Sequence, residues 1–157
     1  MTIDAAALME LALDEARTAV AHDDVPVGAL VVALDSGAVL ARRHNERELH
    51  HDPTAHAEIL ALRDAAAARG GWRLDGCALV VTVEPCPMCA GAALAARVEL
   101  VVFGATDAKA GAFGTLYNFA ADPRLNHELD VVGGVRAAEC GALIGQFFAD
   151  KRAGSPT

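Results

Sequence analysis

Aromatic side chains are scarce here: they make up 4% of 157 residues in a chain that is 54% hydrophobic. Its core must therefore be built largely of Ala, Val and Leu. Positive charge is also in deficit, with a formal net charge of −8 at pH 7. That excludes a protein holding nucleic acid through a broad basic field, and DNA is not an expected partner; a local basic rim for RNA remains possible. No uninterrupted apolar run approaches the roughly 18–20 residues that cross a bilayer, so no membrane partner is expected. The N-terminal segment is acidic and Ala-rich and lacks the basic start of a signal peptide. A cytoplasmic protein is the expectation. Internal repeats and low-complexity linkers are absent, which points to one domain over residues 1–152 followed by a flexible tail at 153–157.

Cysteine is limited to Cys77, Cys86, Cys89 and Cys140. Cys86 and Cys89 sit at i and i+3, a ligand spacing, and a disulfide is the weaker reading in a reducing compartment. Cys77 and Cys140 read as small buried thiols. A second C-x-x-C that would complete a four-cysteine cluster is missing.

Along the chain, Leu8, Leu11, Ala12, Ala16, Ala19 and Val20 share one helical face, and Asp23-Asp24 followed by Pro26 ends that helix. Residues 27–34 form a nearly continuous apolar run, read as a buried strand, and Asp35-Ser36-Gly37 turns it into a returning strand at 38–42. Residues 43–54 read as an irregular polar loop. Ala and Leu favour a helix over 57–69, stopped by Gly70-Gly71. A strand at 79–83 leads into Glu84-Pro85-Cys86, and Pro87 suits the first position of a helix reaching residue 96. Residues 98–103 read as another strand, 105–118 as a functional loop, 120–125 as a short helical turn and 129–132 as a weak strand. Cys140, Leu143, Ile144, Phe147 and Phe148 mark a closing helix, with a loose tail from Lys151 onward. Strand–helix–strand order predicts an α/β protein with parallel pairing and helices on both sheet faces.

The chemistry concentrates in His56-Ala57-Glu58 and Pro85-Cys86-Pro87-Met88-Cys89. One imidazole and two thiolates leave a tetrahedral position open, the pattern of a catalytic rather than a structural zinc. Cys86 is predicted at a helix N-cap with Cys89 one turn on, where the helix dipole favours thiolate. Two thiolates and a neutral imidazole cancel the charge of Zn²⁺, so a separate group must handle protons, and Glu58 is that group. One zinc per chain follows.

His-Ala-Glu followed by Pro-Cys-x-x-Cys resembles the zinc-dependent cytidine/deoxycytidylate deaminase superfamily. Within it the chain is similar to bacterial tRNA-specific adenosine deaminases. The similarity is carried by Asp24-Val25-Pro26-Val27-Gly28-Ala29, Asn45, Asp52-Pro53-Thr54-Ala55-His56-Ala57-Glu58, Val83-Glu84-Pro85-Cys86-Pro87-Met88-Cys89-Ala90-Gly91-Ala92, Val102-Phe103-Gly104-Ala105 and Asn126-His127. The resemblance implies a three-layer α/β/α fold around a mixed sheet of about five strands. It also implies His56, Cys86 and Cys89 as zinc ligands and Glu58 as proton shuttle. Val27, Asn45 and the Ala57 N–H would meet the extruded base, and Asp107, Lys109 and Asn126 the anticodon loop. The implied reaction is hydrolytic deamination of adenosine to inosine at the wobble position of a tRNA anticodon stem-loop, by a homodimer with small Ala-rich helices at its interface. The candidate basic rim is Arg42, Arg43, Arg47, Arg73 and Lys109. Two other readings of the same site stay open: a deaminase of a free base or nucleoside, which needs no RNA rim, and a zinc-stabilised binding domain without catalysis.

Overall fold

Asp4 starts the first helix of the computed structural model, which describes residues 3–154. Its side chain accepts the Ala7 N–H at 3.1 Å, satisfying a donor that the first helical turn leaves unpaired. Helix α1 (Ala5–Thr18) buries Leu8, Met9, Ala12, Leu13 and Ala16. Val20 does not continue that stripe: the chain tightens into a 3-10 turn at Ala19–His22, and Val20 is left exposed.

The sheet contains β1 (Gly28–Ala33), β2 (Val39–His44), β3 (Cys77–Val83), β4 (Leu100–Ala105) and β5 (Asp130–Val132), in the spatial order β2-β1-β3-β4-β5. The other helices are α2 (Arg47–His50), α3 (Ala57–Arg69), α4 (Pro87–Ala95) and α5 (Ala137–Gly154). Alternation along the strands sorts the core into two layers. Leu30, Val32, Val80 and Val102 face α1 and Cys140 of α5. Ala29, Val31, Leu79, Val81, Val101 and Phe103 pack with Ala57, Ala61 and Ala65 of α3 and Ala90 and Ala93 of α4. The result is the three-layer α/β/α arrangement around five strands. Small side chains let the layers close tightly: a Cβ on Gly28 would fall 2.0 Å from the Ala12 carbonyl oxygen, so only glycine admits α1 this close to β1.

Several local expectations change. Pairing of β3 with β4 and of β4 with β5 is parallel, and β1 forms the expected antiparallel hairpin with β2, but β1 also pairs antiparallel with β3. The hairpin return explains this, because β2 rather than β1 feeds the crossover through α3. Residues 43–54 are not all irregular: β2 runs to His44, and α2 follows, its Glu48 and Leu49 N–H groups donating to the Asp24 carboxylate at 2.9 and 3.3 Å. No helix forms at 120–125; Asp122 there accepts from the Arg124 backbone in a turn. Residues 151–154 are helical rather than loose, since α5 continues to Gly154; residues 155–157 of the expected tail lie outside the described residues. No helix among the described residues is long and apolar enough to cross a membrane.

The topology fixes where a site can form. Because β2 and β3 each run antiparallel to β1, they run parallel to each other and to β4. Their carboxyl ends, followed by Asn45, Glu84 and Thr106, therefore open on one edge, joined there by Val27 just before β1. Open α/β sheets bind ligands at this kind of edge.

Candidate active site

Two helices begin at that edge, and neither N-cap residue caps its helix with its own side chain. His56 is the N-cap of α3 (φ −74°, ψ 149°) and Cys86 the N-cap of α4 (φ −73°, ψ 172°). Extended backbone at both caps leaves each side chain outside the helical register. Proline at the first position of α4 forfeits no hydrogen bond there, and Cys89 lies one turn further on. The Nδ1 of His56 is 3.7 Å from the Cys86 sulfur and 3.5 Å from the Cys89 sulfur. Among the described residues these three form the one group whose donor atoms, all within 4.8 Å of one another, could hold a metal.

The geometry fits zinc. An ion bound at about 2.3 Å by sulfur and about 2.0–2.1 Å by nitrogen with tetrahedral angles requires an S···N edge of about 3.6 Å. The acid–base chemistry fits as well. The hydrogen bond with Cys89, against burial and with help from His56, pulls the Cys86 thiol down to about 4. The same contact, reinforced by burial, drives Cys89 far above the usual thiol range. Side by side, only one sulfur ionises readily, and a divalent cation removes that conflict.

Glu58 lies in the first turn of α3 and is 3% exposed. Burial raises its pKa above the ordinary carboxylate value. It stands outside the three-ligand group and shares with His56 and Cys86 the wall of a cavity of about 620 Å³.

Four other sequence candidates, Val27, Asn45, Asp107 and Lys109, line the same cavity. Two do not occupy the place the sequence suggests. Ala57 is fully buried, and its N–H donates to Asn45 Oδ1 at 2.8 Å, so this amide is engaged within the protein rather than turned to a base. Asn126 is exposed and does not line the cavity. Its neighbour His127 pairs through Nε2 with the Val98 carbonyl, ahead of β4, which places this segment at the opposite end of the strand. Asn45 spans two elements, since its Nδ2 also donates to the Val25 carbonyl at 3.1 Å.

Most of the candidate rim is neutralised. Arg42 pairs with Glu15 at 3.0 Å, Arg43 with Asp64 at 2.8 Å and Glu46 at 2.9 Å, and Arg73 with Asp75 at 2.9 Å. Arg73 also lies beyond the far edge, between α3 and β3, against Trp72. Arg47 and Lys109 are the candidates that line the cavity. Sequence reasoning gave no role to Glu84, although the motif containing it was in view, nor to Ile144, Gly145 and Phe148 of α5, which close one side of the cavity.

A mixed α/β/α sandwich with a His-Cys-Cys cluster on its sheet edge and a buried glutamate beside it defines a zinc-dependent deaminase. Residues 2–105 match the family described as the cytidine and deoxycytidylate deaminase zinc-binding region, and the chain belongs to that family. Among its relatives, the tRNA-specific adenosine deaminase of Bacillus subtilis is 48% identical over 144 residues, covering 92% of this chain and 88% of that protein. The protein of the same name from Agrobacterium fabrum is 46% identical, with 92% and 93% covered. A structure solved in a study of A-to-I editing by tRNA:A34 deaminases superposes with a TM-score of 0.82 at 44% identity, covering 86% of this chain and 96% of that one. The guanine deaminase of Nitrosomonas europaea has a TM-score of 0.81 at 28% identity, with 95% and 86% covered.

Proposed function

We propose that this chain deaminates adenosine to inosine at the wobble position of a tRNA anticodon loop, consuming one water and releasing one ammonia. The observation that carries the reading is Glu58, a buried carboxylate on the wall of the cavity that His56 and Cys86 also line, with the Cys89 sulfur within 4.8 Å of their donor atoms. The relatives named as tRNA-specific adenosine deaminases support adenosine in RNA as the substrate.

His56, Cys86 and Cys89 would hold the zinc, which when bound would make water a nucleophile near neutral pH. Glu58 takes the proton that water loses as it attacks C6 and delivers it to ring N1; it then takes the proton of the new C6 hydroxyl and passes it to the amino group, which leaves as ammonia as the C6–N bond breaks. A carboxylate with its pKa raised by burial suits this exchange, since its two protonation states lie closer in energy at neutral pH. Asn45 ties Val25 to Ala57 and lines the cavity. Val27 and Phe148 supply apolar walls. A stacked base cannot enter such a cavity, so the adenine must be splayed from a loop. We place the enzyme in the cytoplasm as a homodimer, with α3 and α4 towards the two-fold axis.

The decisive experiment compares a minimal anticodon stem-loop carrying a wobble adenosine with free adenosine and free guanine. Fast release of ammonia from the stem-loop alone supports the proposal. Turnover of a free base or nucleoside without the stem-loop would establish a small-molecule deaminase instead. Sedimentation as a monomer at micromolar concentration would refute the dimer.

A further inference from the structure

The carboxylate of Glu84 serves neither the metal cluster nor the proton transfer, yet it is 1% exposed. It is surrounded by donors from a single loop. Oε1 accepts the Asp107 N–H at 3.1 Å and the Thr115 hydroxyl, and Oε2 accepts the Phe113 and Thr115 N–H groups at 3.0 and 3.1 Å. Burial raises the pKa of this carboxyl, but these donors outweigh it and hold Glu84 below its ordinary value. The loop is built around the carboxylate: a Cβ on Gly111 would lie 2.4 Å from its Cδ.

Ala112 and Phe113 anchor the far half of the loop in the core, and the Ala112 N–H donates to the Pro85 carbonyl at 2.9 Å, but the half that faces the cavity has no such anchor. No side chain from 106 to 110 is buried, so the segment has no apolar anchor, while Thr106, Asp107, Ala108, Lys109 and Ala110 all line the cavity. The carboxylate that receives Asp107 belongs to the residue two before Cys86. The substrate wall and the metal cluster thus share one support.

We infer that Glu84 is a positioning residue that holds the 106–115 loop as the substrate-facing wall, and so sets how tightly the nucleotides around the reacting base are gripped. This rests on the anticodon-loop reading for its substrate, not for its structural part. A carboxamide at position 84 offers one acceptor oxygen and one NH₂. With that NH₂ at the Oε1 position, the Thr115 hydroxyl can turn to accept from it, but the Asp107 N–H cannot. Glu84→Gln therefore spares the bonds at Oε2 and releases the residue that lines the cavity.

The test uses the zinc-loaded full chain and reads amide exchange together with kinetics on the stem-loop. In Glu84→Gln the Asp107 amide should exchange at least about tenfold faster, and KM should rise about tenfold, as for loss of a hydrogen bond to a charged acceptor. Zinc content should be unchanged and kcat should stay within about threefold, the pattern of lost binding rather than lost chemistry. Thr115→Val, which removes only the hydroxyl, should shift both quantities the same way by less, and it carries the test if the glutamine variant does not fold. Protected Asp107 and unchanged KM in the variant would overturn the inference, as would a fall in kcat accompanied by loss of zinc. If the wild type ignores the stem-loop, the substrate reading fails while the exchange measurement still judges Glu84.

Discussion

The Ala57 N–H donates to the side-chain oxygen of Asn45 across 2.8 Å, so a residue twelve positions earlier caps helix α3. The carboxamide also binds the Val25 carbonyl. One side chain therefore joins the strand entrance, the loop and the helix carrying Glu58. Asn45→Asp retains an acceptor for Ala57 but loses the donor to Val25, whereas Asn45→Ala loses both. Thermal unfolding should show the alanine variant less stable by about 0.5–2 kcal/mol, the usual weight of a helix cap. The aspartate variant should fall between it and the wild type, and equal stability of all three would contradict a capping role.

Metal removal follows from the ligand set. Purified protein should carry about one zinc per chain, and Cys86→Ala or Cys89→Ala should lose metal, activity and stability together, since binding energy at such a site is folding energy. Metal analysis alongside a melting curve checks this. Full activity in a folded, metal-free preparation would be incompatible with the site as described.

Glu58→Gln separates proton transfer from metal binding. The variant should keep its zinc and fold while losing roughly 10²–10⁴ in kcat, the typical yield of general acid–base catalysis. Retention of more than about a tenth of wild-type turnover would remove Glu58 from the proton path.

Asp24 should make stability pH-dependent. Burial raises its pKa, but the Glu48 N–H, His22 and the Leu49 N–H more than offset it, and the carboxyl ends below its ordinary value. A group depressed in the folded state stabilises the protein above its unfolded pKa and loses that contribution as pH falls through the folded one. Melting temperature should therefore drop below about pH 4, and Asp24→Asn should be less stable at neutral pH with a flatter acid profile. Parallel profiles for the two proteins would exclude the role.

Salt dependence should be shallow for an RNA-binding enzyme. Arg42, Arg43 and Arg73 are paired with acids, and of the two candidates at the cavity, Arg47 and Lys109, Arg47 also has the Glu48 carboxylate within 3.9 Å. Two or three phosphates neutralised on a single-stranded loop give a log–log slope of about −1.4 to −2. A slope near −5 in a filter-binding titration would contradict so small a number of phosphate contacts.

The amino-acid sequence by itself determined the His56-Cys86-Cys89 group that could hold a metal, the glutamate we propose for proton transfer and the layered α/β class. Those features are local: His56 and Cys86 each stand at a helix start, and Pro87 and the Ala-rich runs declare those helices within a few residues. Strand burial was legible for the same reason, because continuous apolar runs such as Leu79–Val81 have to face helices on both sides. Tertiary structure alone decided how β1 pairs, since antiparallel contact with β3 depends on which strand of a hairpin feeds the crossover. It also decided the partners of side chains far apart in sequence. Glu84 meets donors 23 to 31 residues away, Asn45 closes on Ala57, and Arg42 and Arg43 find acids on α1 and α3. Asn126, adjacent to a recognisable histidine, falls at the opposite end of β4 from the cavity. Hydrogen bonds and ion pairs form between atoms within a few ångströms, and sequence spacing carries no such distance once the chain has turned back across the sheet.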